Sequence, residues 1–211
     1  MKKLVCIVLS LVLALGCVSF TAVAEGDSLR MLYSGEVTSL NYLTTATTND
    51  FSLSANVIDT LVEYDCYGQI QPSLAESWSV SEDGLVWTFN LRKDATWVDY
   101  TGAFVANVTA NDFVSAAEYL LDDANASSTA DIFYSVVAGA EAYYESTIPA
   151  EEGAEAPAAV DFDTVGVKAL DDYTLQYTLS APCPYFESML TYVCFMPVYG
   201  PFLAEKGDAS A

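Results

Sequence analysis

Carboxylates are the main chemical resource of this chain. It carries 29 Asp and Glu and no histidine in 211 residues. Acid–base work would therefore fall to acidic side chains, since Ser-His-Asp and Cys-His nucleophile systems and most zinc sites need an imidazole. Two adjacent pairs stand out, Asp122-Asp123 and Asp171-Asp172. Two carboxyl groups set across a sugar can run a glycosidase, and clustered oxygens can hold calcium. Asp171-Asp172, however, lies between two alternating apolar runs, where aspartate is favoured for turn geometry alone. Asp122-Asp123 follows a helical pattern and lacks the spaced oxygen ligands and glycine of an EF-hand loop. No pair of acids stands in a setting that would raise one pKa. A protein that binds a ligand without turnover is the first reading, and a secreted carboxylate-based hydrolase such as a glycosidase is the alternative. No cofactor and no metal are expected.

Other reactive types point the same way. Trp78, Trp87 and Trp97 could stack on sugars, but they stand among alternating apolar residues that predict a core role. Asn107-Val108-Thr109 and Asn125-Ala126-Ser127 match glycosylation sequons. They read equally as a helix cap and a polar turn, and a bacterial-type leader favours those roles.

That leader occupies residues 1–24. Lys2 and Lys3 precede an apolar run from Leu4 to Gly16 broken only by Ser10, and Ala22-Val23-Ala24 offers an A-x-A cleavage site. The run is short for a membrane span. Ala14-Leu15-Gly16-Cys17 loosely resembles a lipobox, so lipidation of Cys17 stands beside cleavage after Ala24, with cleavage the better match. Removing the leader takes two lysines and leaves five basic against 29 acidic residues, a net charge of −24. Such a surface repels phosphate backbones, which excludes nucleic acid as a partner. It equally argues against adhesion to anionic lipid by charge. Cys66, Cys183 and Cys194 remain, an odd number to which no disulfide is assigned.

The elements that must position any site follow from periodicity. Leu29 to Tyr33 predicts a short strand. Leu53, Val57, Ile58, Leu61 and Val62 recur at helical spacing behind Thr48 or Asn49 as N-cap, which predicts a helix ending near Tyr64. Trp78 and Val80 alternate before Ser81-Glu82-Asp83-Gly84, and Leu85, Trp87, Phe89 and Leu91 line one face after it, the pattern of a half-buried hairpin. A short strand is expected at Ala95 to Trp97. Thr109 with Asp112 forms a capping box ahead of the apolar face Ala110, Phe113, Val114, Ala117, Leu120 and Leu121. Ala138 to Tyr144 predicts a short helix, and the acidic, Pro/Ala-rich stretch from Thr147 to Asp163 a solvated loop. Val165 to Leu179 predicts a second hairpin turning at Asp171-Asp172. Pro184 opens a helix from Tyr185 to Thr191.

Six stretches then carry a resemblance. Leu74-Ala75-Glu76-Ser77-Trp78, Trp87-Thr88-Phe89-Asn90-Leu91-Arg92, Trp97-Val98-Asp99 and Thr109-Ala110-Asn111-Asp112-Phe113 stand in order. Val167-Lys168-Ala169-Leu170-Asp171-Asp172-Tyr173-Thr174-Leu175 follows, then Pro184-Tyr185-Phe186. Together with the opening Gly35 to Asn41, this sequence resembles the family 5 extracellular solute-binding proteins, the oligopeptide- and dipeptide-binding components of ABC importers. The resemblance implies an α/β, type II periplasmic-binding-protein (venus-flytrap) lobe, with a mixed sheet, hairpins and flanking helices. Residues 25–211 would be the N-terminal part of the first lobe, with the second lobe absent. It implies an exported protein, periplasmic or at the extracellular face of the bacterial membrane, that holds a peptide between two lobes and passes it to ABC importer permease subunits. A gapless match from Glu36 to Leu61 places Ala46, Thr47 and Thr48 where relatives approach the peptide. The family often has an acidic residue at the Ala46 position, and an aromatic that some relatives carry is Thr129 here. The Trp97 to Thr109 spacing implies a lengthened loop.

Overall fold

The computed structural model of the chain describes Leu32 and residues 35–150, 153–155 and 157–206. The expected leader, Cys17 and all but one residue of the expected Leu29–Tyr33 strand lie outside the described residues.

In chain order the helices are α1 Thr48–Ser54, α2 Ala110–Leu120, α3 Ala130–Tyr134, α4 Ala140–Thr147, α5 Phe186–Met189 and α6 Gly200–Lys206. The strands are β1 Val62–Tyr64, β2 Ile70–Pro72, β3 Ala75–Val80, β4 Val86–Leu91, β5 Thr96–Val98, β6 Phe104–Asn107, β7 Val167–Asp171 and β8 Thr174–Thr178. The principal sheet has the order β3-β4-β8-β7, and β1-β2 and β5-β6 form separate two-stranded ribbons. Each pairing is antiparallel. The parallel component of the mixed sheet that the resemblance implies is therefore in none of the described strand pairs.

Both expected hairpins form, and local chemistry closes each turn. Gly84 takes φ +73, a conformation that costs glycine little, and its N–H donates to the Ser81 carbonyl at 2.9 Å. At the second turn the Asp171 carboxylate accepts the Tyr173 N–H at 2.8 Å and the Thr174 hydroxyl at 2.9 Å. Period two then places Trp87, Phe89 and Leu91 on one buried face of β4, and Leu175 and Tyr177 beside them on β8. Trp87 pairs across the ladder with Tyr177, and Phe89 with Leu175.

Rings from outside the sheet complete this face. Phe186 meets Trp87 edge-on at 5.3 Å and Tyr177 at 5.7 Å, while Phe195 lies 5.1 Å from Phe133. Such offset and edge-on contacts add to area burial because ring edges and faces carry opposite partial charge. The buried stripe of α2, with Phe113, Ala117 and Leu120, joins the same cluster together with its C-cap residue Leu121. Its first turn is closed by the expected acidic residue: the Asp112 carboxylate accepts the Thr109 N–H at 2.8 Å. The same oxygen takes the Trp97 indole N–H at 3.0 Å and so ties the β5-β6 ribbon to the helix.

Two expected helices are shorter than their spacing suggests. The first ends at Ser54, and Leu61 and Val62, expected on its face, sit fully buried at the start of the β1-β2 ribbon. Val57, at the same helical spacing, is 73% exposed. Here pairing of Val62 with Pro72 and Tyr64 with Ile70 overrides the local helical period. The last expected helix is only Phe186–Met189, after which a 3₁₀ turn at Val193–Phe195 drops Phe195 into the core.

Candidate functional site

The candidate contact residues lie on a short polar segment held on three sides. Asn41 organises it: the Thr44 and Thr45 N–H groups donate to the Asn41 carbonyl at 3.2 and 3.3 Å, and the Asn41 amide donates to the Tyr119 hydroxyl of α2 at 3.0 Å. Leu43 is buried and anchors the turn by its apolar side chain. The Ser127 hydroxyl donates to the Leu43 carbonyl at 2.5 Å and the Ser128 N–H to the Thr44 carbonyl at 3.1 Å. Tyr42 donates to the Pro197 carbonyl, also at 2.5 Å. Burial, with the nearby Asp112 charge, pushes the Tyr42 phenol well above its ordinary value, so it stays a donor.

From this base Ala46, Thr47 and Thr48 emerge together, all three exposed, and lead into α1 with Thr47 as the extended N-cap residue. Immediately inside them Asp50 is 1% exposed. Its carboxylate accepts the Thr45 hydroxyl at 2.7 Å and both the N–H and the hydroxyl of Thr38 at 2.9 Å. These donors, with the Thr45 hydroxyl first and then Thr47 and Thr38, hold the Asp50 carboxyl well below the usual carboxylate range. Phe51, one residue on, packs edge-on against Tyr192 at 5.8 Å.

Neither alanine nor threonine at positions 46–48 titrates in the physiological range. The exposed segment can therefore offer hydroxyls, backbone groups and a small apolar surface, which suits recognition rather than proton transfer.

The remaining sequence candidates resolve into structural roles. Asp122 accepts the Ala124 N–H at 3.0 Å and Asp123 the Tyr144 hydroxyl at 3.0 Å. The Asp171-Asp172 pair forms the hairpin turn already described. Donors also hold Asp83, Asp99 and Asp171 below the usual carboxylate range, led by the Ser81 hydroxyl, the Thr101 hydroxyl and the Tyr173 N–H respectively. A glycosidase acid needs the opposite shift. Among the described residues no group of three or more Cys, Asp or Glu could hold a metal ion. Trp87 is core; Trp78 and Trp97 are half-buried against it and donate to Glu187 and Asp112. Thr129 is 3% exposed, and its hydroxyl has no partner among the described residues. Cys66 is exposed, Cys183 and Cys194 are buried, and all three are free thiols. Thr38, Thr45 and Asp50 were not legible as a unit in the sequence, because their contacts span up to twelve positions without a charge pair.

Comparison with known proteins agrees with this architecture. Oligopeptide-binding protein AliB of Streptococcus pneumoniae is 42% identical over 177 residues, covering 84% of this chain and 25% of the relative. Periplasmic oligopeptide-binding protein OppA of Escherichia coli is 34% identical over 186 residues, covering 88% and 31%. This chain thus spans about a quarter to a third of the length of these relatives. Among solved structures, Haemophilus influenzae OppA in complex with RPPGFSPFR superposes with a TM-score of 0.68 at 31% identity, over 81% of this chain and 30% of that one. The substrate-binding domain of an oligopeptide ABC transporter from Bacillus anthracis gives 0.67 at 33% identity, over 80% and 29%. The secreted glycosidase alternative finds no support in these comparisons. Residues 69–210 match the family described as "Bacterial extracellular solute-binding proteins, family 5 Middle", and the chain belongs to that family.

Proposed function

We propose that this chain supplies one wall of the ligand cleft of an extracytoplasmic peptide-binding protein serving an ABC importer. The observation that carries the reading is the shared fold with peptide-bound OppA at 31% identity. In this reading a peptide is captured between two lobes and handed to the permease subunits without chemical change. Ala46, Thr47 and Thr48 contact the peptide from this side, by hydroxyl and backbone groups that tolerate varied side chains. With Ala46 in place of an acid, this lip offers the peptide no charge. A second lobe forms the opposing wall, and residues 1–24 direct export. Cleavage after Ala24 frees the protein; lipidation at Cys17 would tether it instead, and intact mass of the exported product distinguishes the two.

Peptide engulfed between two lobes gains much of its affinity from burial on both sides. Residues 25–211 alone should therefore bind no more tightly than about millimolar, near −4 kcal/mol. The test is titration with a mixed di- to pentapeptide library, followed by calorimetry and by backbone NMR of residues 46–48. Shifts confined to that lip at millimolar peptide are expected. Peptide that perturbs only residues remote from it would overturn the site assignment, and hydrolysis of the peptide would overturn the binding role.

A further inference from the structure

We propose that Asp50 is a positioning residue: through Thr45 it fixes the conformation of Ala46–Thr48, and so shapes the ligand-facing lip without touching ligand. The inference rests on the reading of that lip as a peptide contact.

The polarity of the hydrogen bonds carries the argument. An ionised carboxylate only accepts. The Thr45 hydroxyl, 2.7 Å from the Asp50 carboxylate, must therefore spend its single proton there. Its oxygen is left as an acceptor, and it receives the Thr47 N–H at 3.2 Å. The hydroxyl of Thr47 lies 3.4 Å from the same oxygen; with the Thr45 proton committed, its own proton goes to that oxygen or to Asp50 itself. Asp50 thus dictates, chiefly through Thr45, which groups of Thr47 turn inward and which remain for solvent or ligand. Its other bonds, to both the N–H and the hydroxyl of Thr38, fasten the far end of the same loop twelve residues away.

The Thr47 and Thr48 carbonyls are also tied into α1, by the Phe51 N–H at 3.1 Å and the Ser52 hydroxyl at 2.8 Å, but the inward N–H of Thr47 rests on the Thr45 oxygen. All three are exposed, so no apolar burial fixes their shape, and segments of that kind open locally at low cost. A buried carboxylate is costly unless every lone pair finds a donor. A leucine would fill the same space, as replacement of buried ionic groups by apolar ones shows elsewhere, but it could not orient a hydroxyl. The low Asp50 pKa described above keeps the carboxylate ionised, as the relay requires.

Hydrogen exchange on the full chain tests the relay. Thr45→Val keeps the volume and removes the hydroxyl; Thr47 amide exchange should rise about tenfold or more while the Phe89 amide in β4 keeps its protection. Thr45→Ser restores the hydroxyl and should bring Thr47 back to within about twofold of wild type, a rescue that side-chain volume alone would not produce. A Thr47 amide unmoved by Thr45→Val, or loosened equally by Thr45→Ser, overturns the proposal. Should Thr45→Val fail to fold, the unsubstituted chain decides. Thr47 protected about tenfold above Ala46 supports the relay, and equal rates overturn it. Adding peptide to the same samples separates the two readings. Peptide that leaves Ala46–Thr48 unperturbed removes the contact assignment, whereas Asp50 is judged on exchange alone.

Discussion

Trp87 shows how a residue can be indispensable and imperfect at once. Its ring stacks near-parallel to Phe89 at 6.4 Å and meets Phe186 edge-on, yet its indole N–H is buried with no partner among the described residues. Trp87→Ala should cost roughly 3–5 kcal/mol, by loss of packing and the cavity left behind. Trp87→Phe also removes the orphan donor, whose burial is unfavourable. It should therefore cost under about 1.5 kcal/mol, as a swap that keeps an aromatic in place. Denaturant midpoints of the two variants check the order, and equal losses would mean that shape, not burial, governs the site. Asp50 gives the residue-scale pH dependence. Because its folded pKa is depressed, its stabilising contribution is complete above the unfolded value of about 4 and is lost as pH falls below that value. The stability gap between wild type and Asp50→Asn should thus be constant from neutral pH to about pH 5 and narrow below about pH 4. A gap independent of pH down to about 2 would refute an ionised Asp50. Only the core role of Trp87 was legible beforehand. Trp87 announced its face by alternation, but its orphan N–H depends on neighbours brought by Phe186. Asp50 reads as one acid among 29 until Thr38 folds onto it.

At the scale of elements, what could be read was what local chemistry decides. The hairpins at Gly84 and at Asp171-Asp172 and the Asp112 cap depend on residues within a few positions, and the structure forms all three. The first expected helix stops early because its apolar spacing was shared with a ribbon whose partner strand lies several residues downstream. Equally hidden was the joint between the turn that follows α3 and the sheet. There the Gly166 N–H donates to the Ala138 carbonyl at 2.7 Å, the Thr178 N–H to the Gly166 carbonyl at 2.7 Å, and the Ala138 N–H to the Thr178 carbonyl at 2.9 Å. A methyl group on Gly166 would collide with the Thr178 carbonyl oxygen, a backbone atom that cannot swing aside. Gly166→Ala should therefore destabilise by about 1–3 kcal/mol, the usual range for overpacking. Exchange should rise first at Ala138 and Thr178. A neutral effect in thermal denaturation would show that the joint has slack.

For the whole molecule the governing quantity is charge. With 29 acidic and seven basic residues, the chain carries a net charge of −22 that repels itself on folding. The ion pair of Arg92 with Asp94, at 2.6 Å, is too exposed to offset that repulsion. Screening should relieve it, so the melting temperature should rise by a few degrees as salt goes from about 10 mM to about 300 mM. A flat or falling response in scanning calorimetry would show that the acids are dispersed enough not to interact. The three indoles give that experiment its own optics. Trp87 sits in the sheet's apolar face with its N–H unbonded, whereas Trp78 and Trp97 each present theirs to a carboxylate, at 2.7 and 3.0 Å. An indole dipole shut away from polar groups emits toward the blue, and one coupled to a charge or to water emits toward the red. The chain therefore carries a buried lamp and two peripheral ones. Emission colour, followed across a melt, reports whether sheet and rim go dark together or the rim goes first.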